Sequence, residues 1–378
     1  MSEKELNVFY KNDKIGTLKE TPDKLIAFQY STYWLNNGFS ISPFSLPLKN
    51  NVFVPESRVF NGLFGIFADS LPDSWGQVLL NRFLTHKGIN IDELNSLDRL
   101  AYVGSSGMGA LEYRPEKTSD FTIENYDYDE LAKECEKILT SQDSDKLDIL
   151  WGLGGSSGGT RPKILVTDED REWIIKFPAH TDSPDSGKME YDYSICAKKC
   201  GIKMTESHLV PSKICDGYFK TERFDRVVDI NGNVEKLLTV TAAGLLELDF
   251  RAPSCDYNSL LKLTNILTRE DKKQVEMMFR IMCFNVFAHN RDDHTKNFSF
   301  IYDNGIWKLA PAYDLTFSTT YYGEHTTSIN GKGINPSIED MIKVGQIAGL
   351  DRKKCKSIID DIKAIVENDL SKYIRRGE

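Results

Sequence analysis

Two cysteine patterns are missing from this sequence. Its seven cysteines (Cys135, Cys196, Cys200, Cys215, Cys255, Cys283 and Cys355) form no CxxC pair and no regular framework, and their number is odd. That argues against a disulfide scaffold and a cysteine zinc site, and it predicts reduced thiols in a cytosol. Cys283 lies in an apolar stretch and reads as a core residue. Long apolar runs are also missing. The most apolar segment, 275–289, is short and carries Arg280, whereas a membrane span needs about 20 apolar residues. The chain opens MSEKELNVFY, without an apolar run, so no secretory leader is expected. Gly 26 and Pro 13 are too few for a fibrous or disordered chain. Positive charge is scarce as well: the formal net charge is −9 and the pI about 5.4. Proteins that bind DNA unaided usually carry a basic surface. The expectation is a soluble cytoplasmic enzyme acting on a small molecule or another protein.

What is present is enough for two or three domains, since the chain has 378 residues and a domain takes roughly 150. Forty per cent hydrophobic and 11% aromatic residues are ordinary for a protein with a sizeable core. Residues 6–18 contain two strand-like runs flanking Asn12-Asp13, a turn signal, and 24–36 continue in that style. Residues 58–86 look helical, broken at Pro72, with Asp73 in the first turn of the second piece. In LAYVGSSGMGALEY (100–113), Gly104, Gly107 and Gly109 read as tight turns between strands, because no Lys-Ser/Thr follows as in a phosphate loop. Residues 114–125 are a candidate linker. Residues 126–141 fit an amphipathic helix with Leu131, Cys135, Ile138 and Leu139 on one face. The chain then reads strand-rich to about 226, with one helix near 188–200, and mainly helical from about 256. No repeat and no low-complexity tract is evident.

The strongest chemical signal is HNRDDHTKNFSF, residues 289–300. Phosphoryl transfer needs an aspartate to orient the attacking hydroxyl and oxygen ligands for Mg²⁺. Asp292 and Asn297 have the five-residue offset of a kinase catalytic loop. On that reading Asp292 is the base, Asn297 a metal ligand, and Lys296 neutralises the moving phosphate. Asp293, four residues before Asn297, is the second candidate for the base. A charged loop at a helix end would look similar. His289 and His294 could instead be metal ligands, but nothing nearby completes a zinc set. Seventeen residues after Asn297, KLAPAYDL (308–315) places Asp314 where kinases carry a second metal ligand.

Upstream, Lys176 stands in REWIIKFP with Trp173, Ile174 and Ile175 before it and Phe177 after. A lysine among apolar residues is costly unless paired, and kinases use such a lysine on the α- and β-phosphates and an acidic helix partner. Glu190, fourteen residues on, is the candidate partner; an edge lysine facing water is the plain alternative. GLGGSSGGTRPK (152–163) is a glycine-rich loop ahead of a strand, able to bring backbone N–H groups to phosphate oxygens, though it does not match GxxxxGK[ST]. KTERFDR (220–226) has the place in the order of a strand entering a hinge. The order of these six features carries the reading more than any one of them.

With those motifs the chain resembles HipA-type kinases, the toxins of bacterial toxin–antitoxin modules, over about residues 6–350. The resemblance is carried by FADSLPDSWG (67–76), LAYVGSSGMGALEY (100–113), SSGGTRPK (156–163), IIKFP (174–178), ERFDR (222–226), DDHTKNFSF (292–300) and APAYDL (310–315). It implies an α+β, two-lobed, protein-kinase-like fold with a β-rich N-terminal subdomain and a mainly helical C-terminal lobe. The domains expected are an N-terminal subdomain 1–115, a linker and helix 116–145, an N-lobe core 146–226 and a C-lobe 227–378.

The resemblance further implies ATP and Mg²⁺ as cofactors, with Asp292 as catalytic base and Asn297 and Asp314 as metal ligands. Lys176 is then the phosphate lysine, and Ser156, Ser157, Gly158 and Gly159 form the nucleotide loop. Glu222 and Phe224 offer backbone groups to adenine, and His294 sits close to the nucleotide. Ser156, or its neighbour Ser157, matches the loop serine that these kinases autophosphorylate. The implied partner is a helix-turn-helix antitoxin of the HipB type, through which DNA is met indirectly. The implied target is an aminoacyl-tRNA synthetase or another translation protein. The loop here is unusually glycine-rich for that family. A small-molecule hydroxyl kinase and a non-catalytic nucleotide-binding co-repressor are the competing readings.

Overall fold

The structure, a computed structural model, describes residues 4–117, 126–155, 158–229, 231–252 and 254–375. The chain divides into two compact units. Unit 1 takes residues 1–187, 209–240 and 244–247; unit 2 takes 188–208, 241–243 and 248–378.

Unit 1 begins with an antiparallel sheet of β1 (Glu5–Tyr10), β2 (Asp13–Glu20), β3 (Ile26–Tyr30), β4 (Val52–Phe53) and β5 (Glu112–Arg114), in the order β4-β3-β2-β1-β5. The β1–β2 turn is made by Lys11 and Asn12, both at positive φ (47° and 70°). That is the pair a twisted two-residue hairpin requires, and Asn adopts it at low cost. Residues 32–37 form a short helix rather than more strand, capped by Ser31 whose hydroxyl accepts from the Trp34 amide.

The helical stretch expected over 58–86, broken at Pro72, is Gly65–Ala68 and Ser74–His86, so its first piece is shorter than expected. Asn61 and Gly62 at positive φ (53° and 83°) turn the chain before it can coil. Asp73 is the residue before the second helix rather than part of its first turn, and its side chain makes no cap bond there. In the 100–113 segment, Leu100–Val103 end a helix (Ser96–Val103), and the turns come only afterwards.

A second sheet holds β6 (Lys163–Asp168), β7 (Arg171–Lys176), β8 (Ser207–Val210) and β9 (Tyr218–Glu222), in the order β6-β7-β9-β8. The β6–β7 hairpin turns on Glu169 and Asp170, again both at positive φ. Helix Leu147–Gly154 runs straight into the glycine-rich segment, so Gly152 and Gly154 are helical rather than part of a loop. Leu150 and Trp151, both buried, hold that helix down.

One core of unit 1 lies around helix 74–86. Trp75, Leu79, Leu80 and Phe83 of helix 74–86 pack with Leu131, Cys135 and Ile138 of helix Tyr128–Leu139 and with Ile164, Trp173, Ile175 and Tyr218 of the second sheet. Each such fully buried leucine contributes about 1.5–3 kcal/mol relative to exposure. Six of the seven cysteines are buried and free; Cys215 is half-buried.

Unit 2 is mainly helical. Its helices Tyr257–Leu267, Lys272–Phe287, Ile338–Ile347 and Arg352–Asp369 each start at an Asp or Ser whose side chain accepts from the first turn. A hairpin, Ser299–Asp303 with Ile306–Leu309, interrupts them, turning on Asn304-Gly305 at φ 50° and 83°. Among the described residues, no helix is long and apolar enough to cross a membrane.

Candidate functional site

In unit 2 the hairpin 299–309 sets the geometry. Its first strand follows directly on the segment 289–297, and its second leads into 310–314. Antiparallel pairing therefore returns the chain to where it started, and Ala310 N donates to Ser299 O at 2.9 Å. Tyr313 fastens the two segments: its hydroxyl donates to Lys296 O at 2.5 Å and lies 2.6 Å from Ser299 Oγ. This is how Asn297 and Asp314, distant in sequence, come to one end of the hairpin. Asp314 is half-buried and sits in the left-handed region at φ 57°, a conformation Asp tolerates better than most side chains.

The segment 289–297 has alternating inward and outward side chains. Asn290 is buried, its amide Nδ2 donating to Asn285 Oδ1 at 3.0 Å. Asp292 is exposed, with 59% of its side chain accessible. Asp293 is fully buried. Its carboxylate accepts from Tyr257 OH (2.9 Å), His325 Nδ1 (2.9 Å) and the Thr327 amide (3.1 Å). Burial, and next to it the Asp293 charge, pushes the Tyr257 phenol well above its ordinary range. Asp293 has no open face for a substrate, whereas Asp292 does.

Asn297 ends a 3₁₀ turn (Thr295–Asn297), and its Nδ2 donates to the Asp292 carbonyl at 2.7 Å. That bond fixes the amide orientation and leaves Oδ1 as the outward acceptor. His294 Nε2 lies 4.0 Å from Asp292 Oδ1. The His294 ring packs on Phe250 at 5.3 Å, and Lys296 Nζ sits 4.9 Å over the same ring. A cation over an aromatic face gains about 0.5–2 kcal/mol. Phe250 was not singled out from the sequence, and nothing in its local context marks it. His294 Nδ1 and Thr295 Oγ1 are buried without a hydrogen-bond partner among the described residues. An Asn carbonyl and an Asp carboxylate at one hairpin end are hard oxygen donors, the kind Mg²⁺ takes, so the donor chemistry fits that ion.

In unit 1, Lys176 ends β7, half-buried, with Nζ 5.8 Å from the Phe219 ring centroid. Its register partner on β6 is Lys163, which is buried and whose amine donates to Gly158 O. The sequence reading missed Lys163, although it closes the SSGGTRPK motif. Ser156 and Ser157 lie outside the described residues. Gly158 and Gly159 follow them, Gly159 at φ 96°. The Asp73 carboxylate accepts from Gly159 N, and Trp75 N donates to Gly159 O at 3.2 Å. The segment FADSLPDSWG thus reaches the glycine-rich loop, a contact across some 86 positions that no local pattern announces. Arg161 just downstream is held by a two-pronged pair with Asp182 (2.8 and 3.1 Å).

Glu222 ends β9, and Phe224 is half-buried in the turn that follows. Around them lies a buried charge cluster. Asp225 is fully enclosed and accepts from Arg223 (3.0 and 2.8 Å), Arg226 (2.6 Å) and the Gly109 amide (2.7 Å). Arg226 also donates to the carbonyls of Gly109 (2.9 Å) and Gly107 (3.1 Å). Burial alone would raise the Asp225 carboxyl, but the two guanidiniums beside it bring it down to about 2. The glycines of 100–113 are therefore turns that clasp this cluster. Glu190 is buried on helix Ser186–Lys199, in the part of that helix that belongs to unit 2.

Two family models match the chain: the HipA N-terminal domain over residues 6–114 and the HipA-like C-terminal domain over 155–369. A curated relative, "Putative kinase Y4mE" of Sinorhizobium fredii, is 23% identical over 348 residues, 85% of this chain and 79% of that protein. A solved chain from the Shewanella oneidensis MR-1 toxin–antitoxin complex of HipA, HipB and operator DNA matches with TM-score 0.75 at 18% identity. It covers 98% of this chain and 90% of its own. The fold class is thus the expected one, α+β and kinase-like in two lobes.

Proposed function

We propose that this chain, which belongs to the HipA family, is an ATP- and Mg²⁺-dependent protein serine/threonine kinase and the toxin of a toxin–antitoxin module. The observation that carries the reading is the hairpin end of unit 2. An exposed Asp292 stands between two buried anchors there, beside an Asn297 whose carbonyl faces outward, on the side to which the chain brings Asp314.

In this mechanism Asp292 accepts the proton of the attacking hydroxyl. Asn297 Oδ1 and the Asp314 carboxylate hold Mg²⁺, which when bound neutralises phosphate charge. Lys296, steadied over Phe250, faces the transferred group. Lys176 holds the α- and β-phosphates, with Glu190 as its acidic partner. Ser156, Ser157, Gly158 and Gly159 cover the phosphates, the backbone at Glu222 and Phe224 meets adenine, and His294 lies near the nucleotide. Phosphorylation of Ser156 or Ser157 adds nearly two negative charges, which repel ATP and limit the enzyme's own activity.

The target is a translation protein such as an aminoacyl-tRNA synthetase. The partner is a helix-turn-helix antitoxin of the HipB type, in line with the Shewanella complex. DNA contact is then indirect, as an acidic chain of net charge −9 favours. Free cysteines agree with a cytoplasmic protein. The test is to incubate the protein with Mg-ATP and map phosphate by mass spectrometry beside Asp292→Asn. Phosphate on Ser156 or Ser157 in the wild type alone is the expected result. No phosphate in either sample overturns the kinase reading.

A further inference from the structure

Asp293 stands one residue from the proposed base and has no exposed surface. The partners of its carboxylate come from two separate parts of unit 2, Tyr257 and residues 325–327. Tyr257 opens helix Tyr257–Leu267, directly after the short strand Cys255–Asp256. That strand pairs in parallel with Thr327–Ser328. The pairing brings Tyr257 and Thr327 to the two sides of the Asp293 carboxylate, and His325 completes the ring. An ionised carboxylate only accepts, so Tyr257 OH, Thr327 N and His325 Nδ1 each donate. The main chain is tied as well: Thr327 Oγ1 donates to Asp293 O at 2.5 Å, and Thr326 N to Arg291 O at 3.0 Å. On the far side of Asp292, Asn290 is anchored to Asn285, whose Nδ2 donates to Tyr257 OH at 2.9 Å. One phenol therefore links both anchors that flank Asp292.

We infer that Asp293 and His325 form a positioning pair that sets the placement of Asp292, and that the loss of either lowers turnover rather than nucleotide affinity. The inference rests on the kinase reading for Asp292. The physical reason is reach. Asp292 projects into solvent, and its backbone carbonyl accepts from Asn297 Nδ2. The main chain that carries its carboxylate is placed by residues 290, 291 and 293 on either side. All three are fastened by groups from 285 and 325–327, the stretch that begins about ten residues past Asp314. The pair thus ties the base loop to the chain following the proposed metal ligand, so one clamp keeps both in register. A displacement of about 1 Å in a reacting group costs roughly 100-fold in rate.

The experiment compares His325→Leu, His325→Asn and Asp293→Ala with wild type. It measures kcat and KM for ATP by steady-state phosphoryl transfer and melting temperature in parallel. An Asn amide nitrogen takes the place of His Nδ1, so His325→Asn keeps the donor. The expected result is that His325→Leu and Asp293→Ala lose roughly 100-fold in kcat with KM for ATP within about threefold, and that His325→Asn recovers most of the wild-type rate. A lowered melting temperature with kcat per folded molecule unchanged in His325→Leu overturns the inference and leaves a purely structural pair. So does an Asn variant no better than Leu.

Amide hydrogen exchange over residues 289–297 gives a reading independent of catalysis. His325→Leu should exchange faster there, well below its melting temperature, and His325→Asn should not. If the wild type transfers no phosphate, the kinase reading falls, while unchanged exchange in His325→Leu sinks the clamp itself.

Discussion

The two loops to which the proposed reading gives the base and the phosphates are built in opposite ways. The base loop of unit 2 is pinned by buried side chains: Asn290 and Asp293 point inward on either side of Asp292, and Asn285, Tyr257, His325 and Thr327 receive them. In the glycine-rich loop of unit 1 the described contacts are of another kind. Gly158 and Gly159 are held at their backbone by Lys163, Asp73 and the Trp75 amide. A proton acceptor works only from a fixed position, which justifies the cost of burying a carboxylate, a histidine and two amides. A loop that must admit and release a nucleotide is better held by bonds that exchange easily with water. The rigid charged element of unit 1 lies instead at Asp225, clasped by Gly107 and Gly109.

The largest effect should come from the pinned loop. Asp292→Asn is expected to cut phosphoryl transfer by roughly 100- to 10,000-fold, the usual contribution of a positioned base, with an unchanged melting temperature. Retained activity would remove Asp292 from the mechanism and with it the contrast between the loops. Asp225→Asn should destabilise unit 1 by about 3–5 kcal/mol in denaturant unfolding, because Arg223 and Arg226 are left buried beside a neutral amide. A cost below about 1 kcal/mol would show that this cluster is not the rigid element.

The same carboxylate predicts an acid response. Its pKa in the folded chain, about 2, lies below the unfolded value. Its stabilising contribution is therefore complete above about pH 4 and is lost as pH falls from there toward 2. Melting temperatures in that window should drop more steeply for wild type than for Asp225→Asn. The smallest effect is expected at the lightly held loop. Asp73→Ala removes one charge-assisted bond to Gly159 and should weaken ATP binding about three- to tenfold in a nucleotide titration, in line with about 1 kcal/mol for such a contact. Tighter binding would mean that Asp73 holds the loop away from the nucleotide.

Much of the fold was legible because its turns are written locally. The turn read at Asn12-Asp13 falls one residue earlier, at Lys11-Asn12, with Asn12 at positive φ, and the apolar spacing of Leu131, Cys135 and Ile138 marks a helix that does bury that face. The helix at Gly152 and Gly154 was not legible. Five glycines between 152 and 159 suggest a loop, and only the tertiary burial of Leu150 and Trp151 overrides them at the start of the segment. The candidates Asp292, Asn297 and Asp314 were visible through spacing alone. What spacing does not convey is the support behind them. Phe250 under His294 and Lys296, His325 on Asp293, and Asp73 on Gly159 are all contacts between segments far apart in the chain. The choice between two adjacent aspartates was drawn from an offset of one residue. The two differ in burial: Asp293 is enclosed and Asp292 is not.

The core around helix 74–86 also has a consequence for how the protein is made. Helix 74–86 buries Trp75, Leu79 and Leu80 against partners that reach as far as Tyr218. Translation at roughly 5–20 residues per second leaves those side chains waiting about 7 to 30 seconds for Tyr218 to emerge from the ribosome. During that interval these apolar side chains have only part of their core to pack into. Nascent chains of this protein should therefore engage holding chaperones early, and release should come only after the strand that ends at Glu222 has left the exit tunnel.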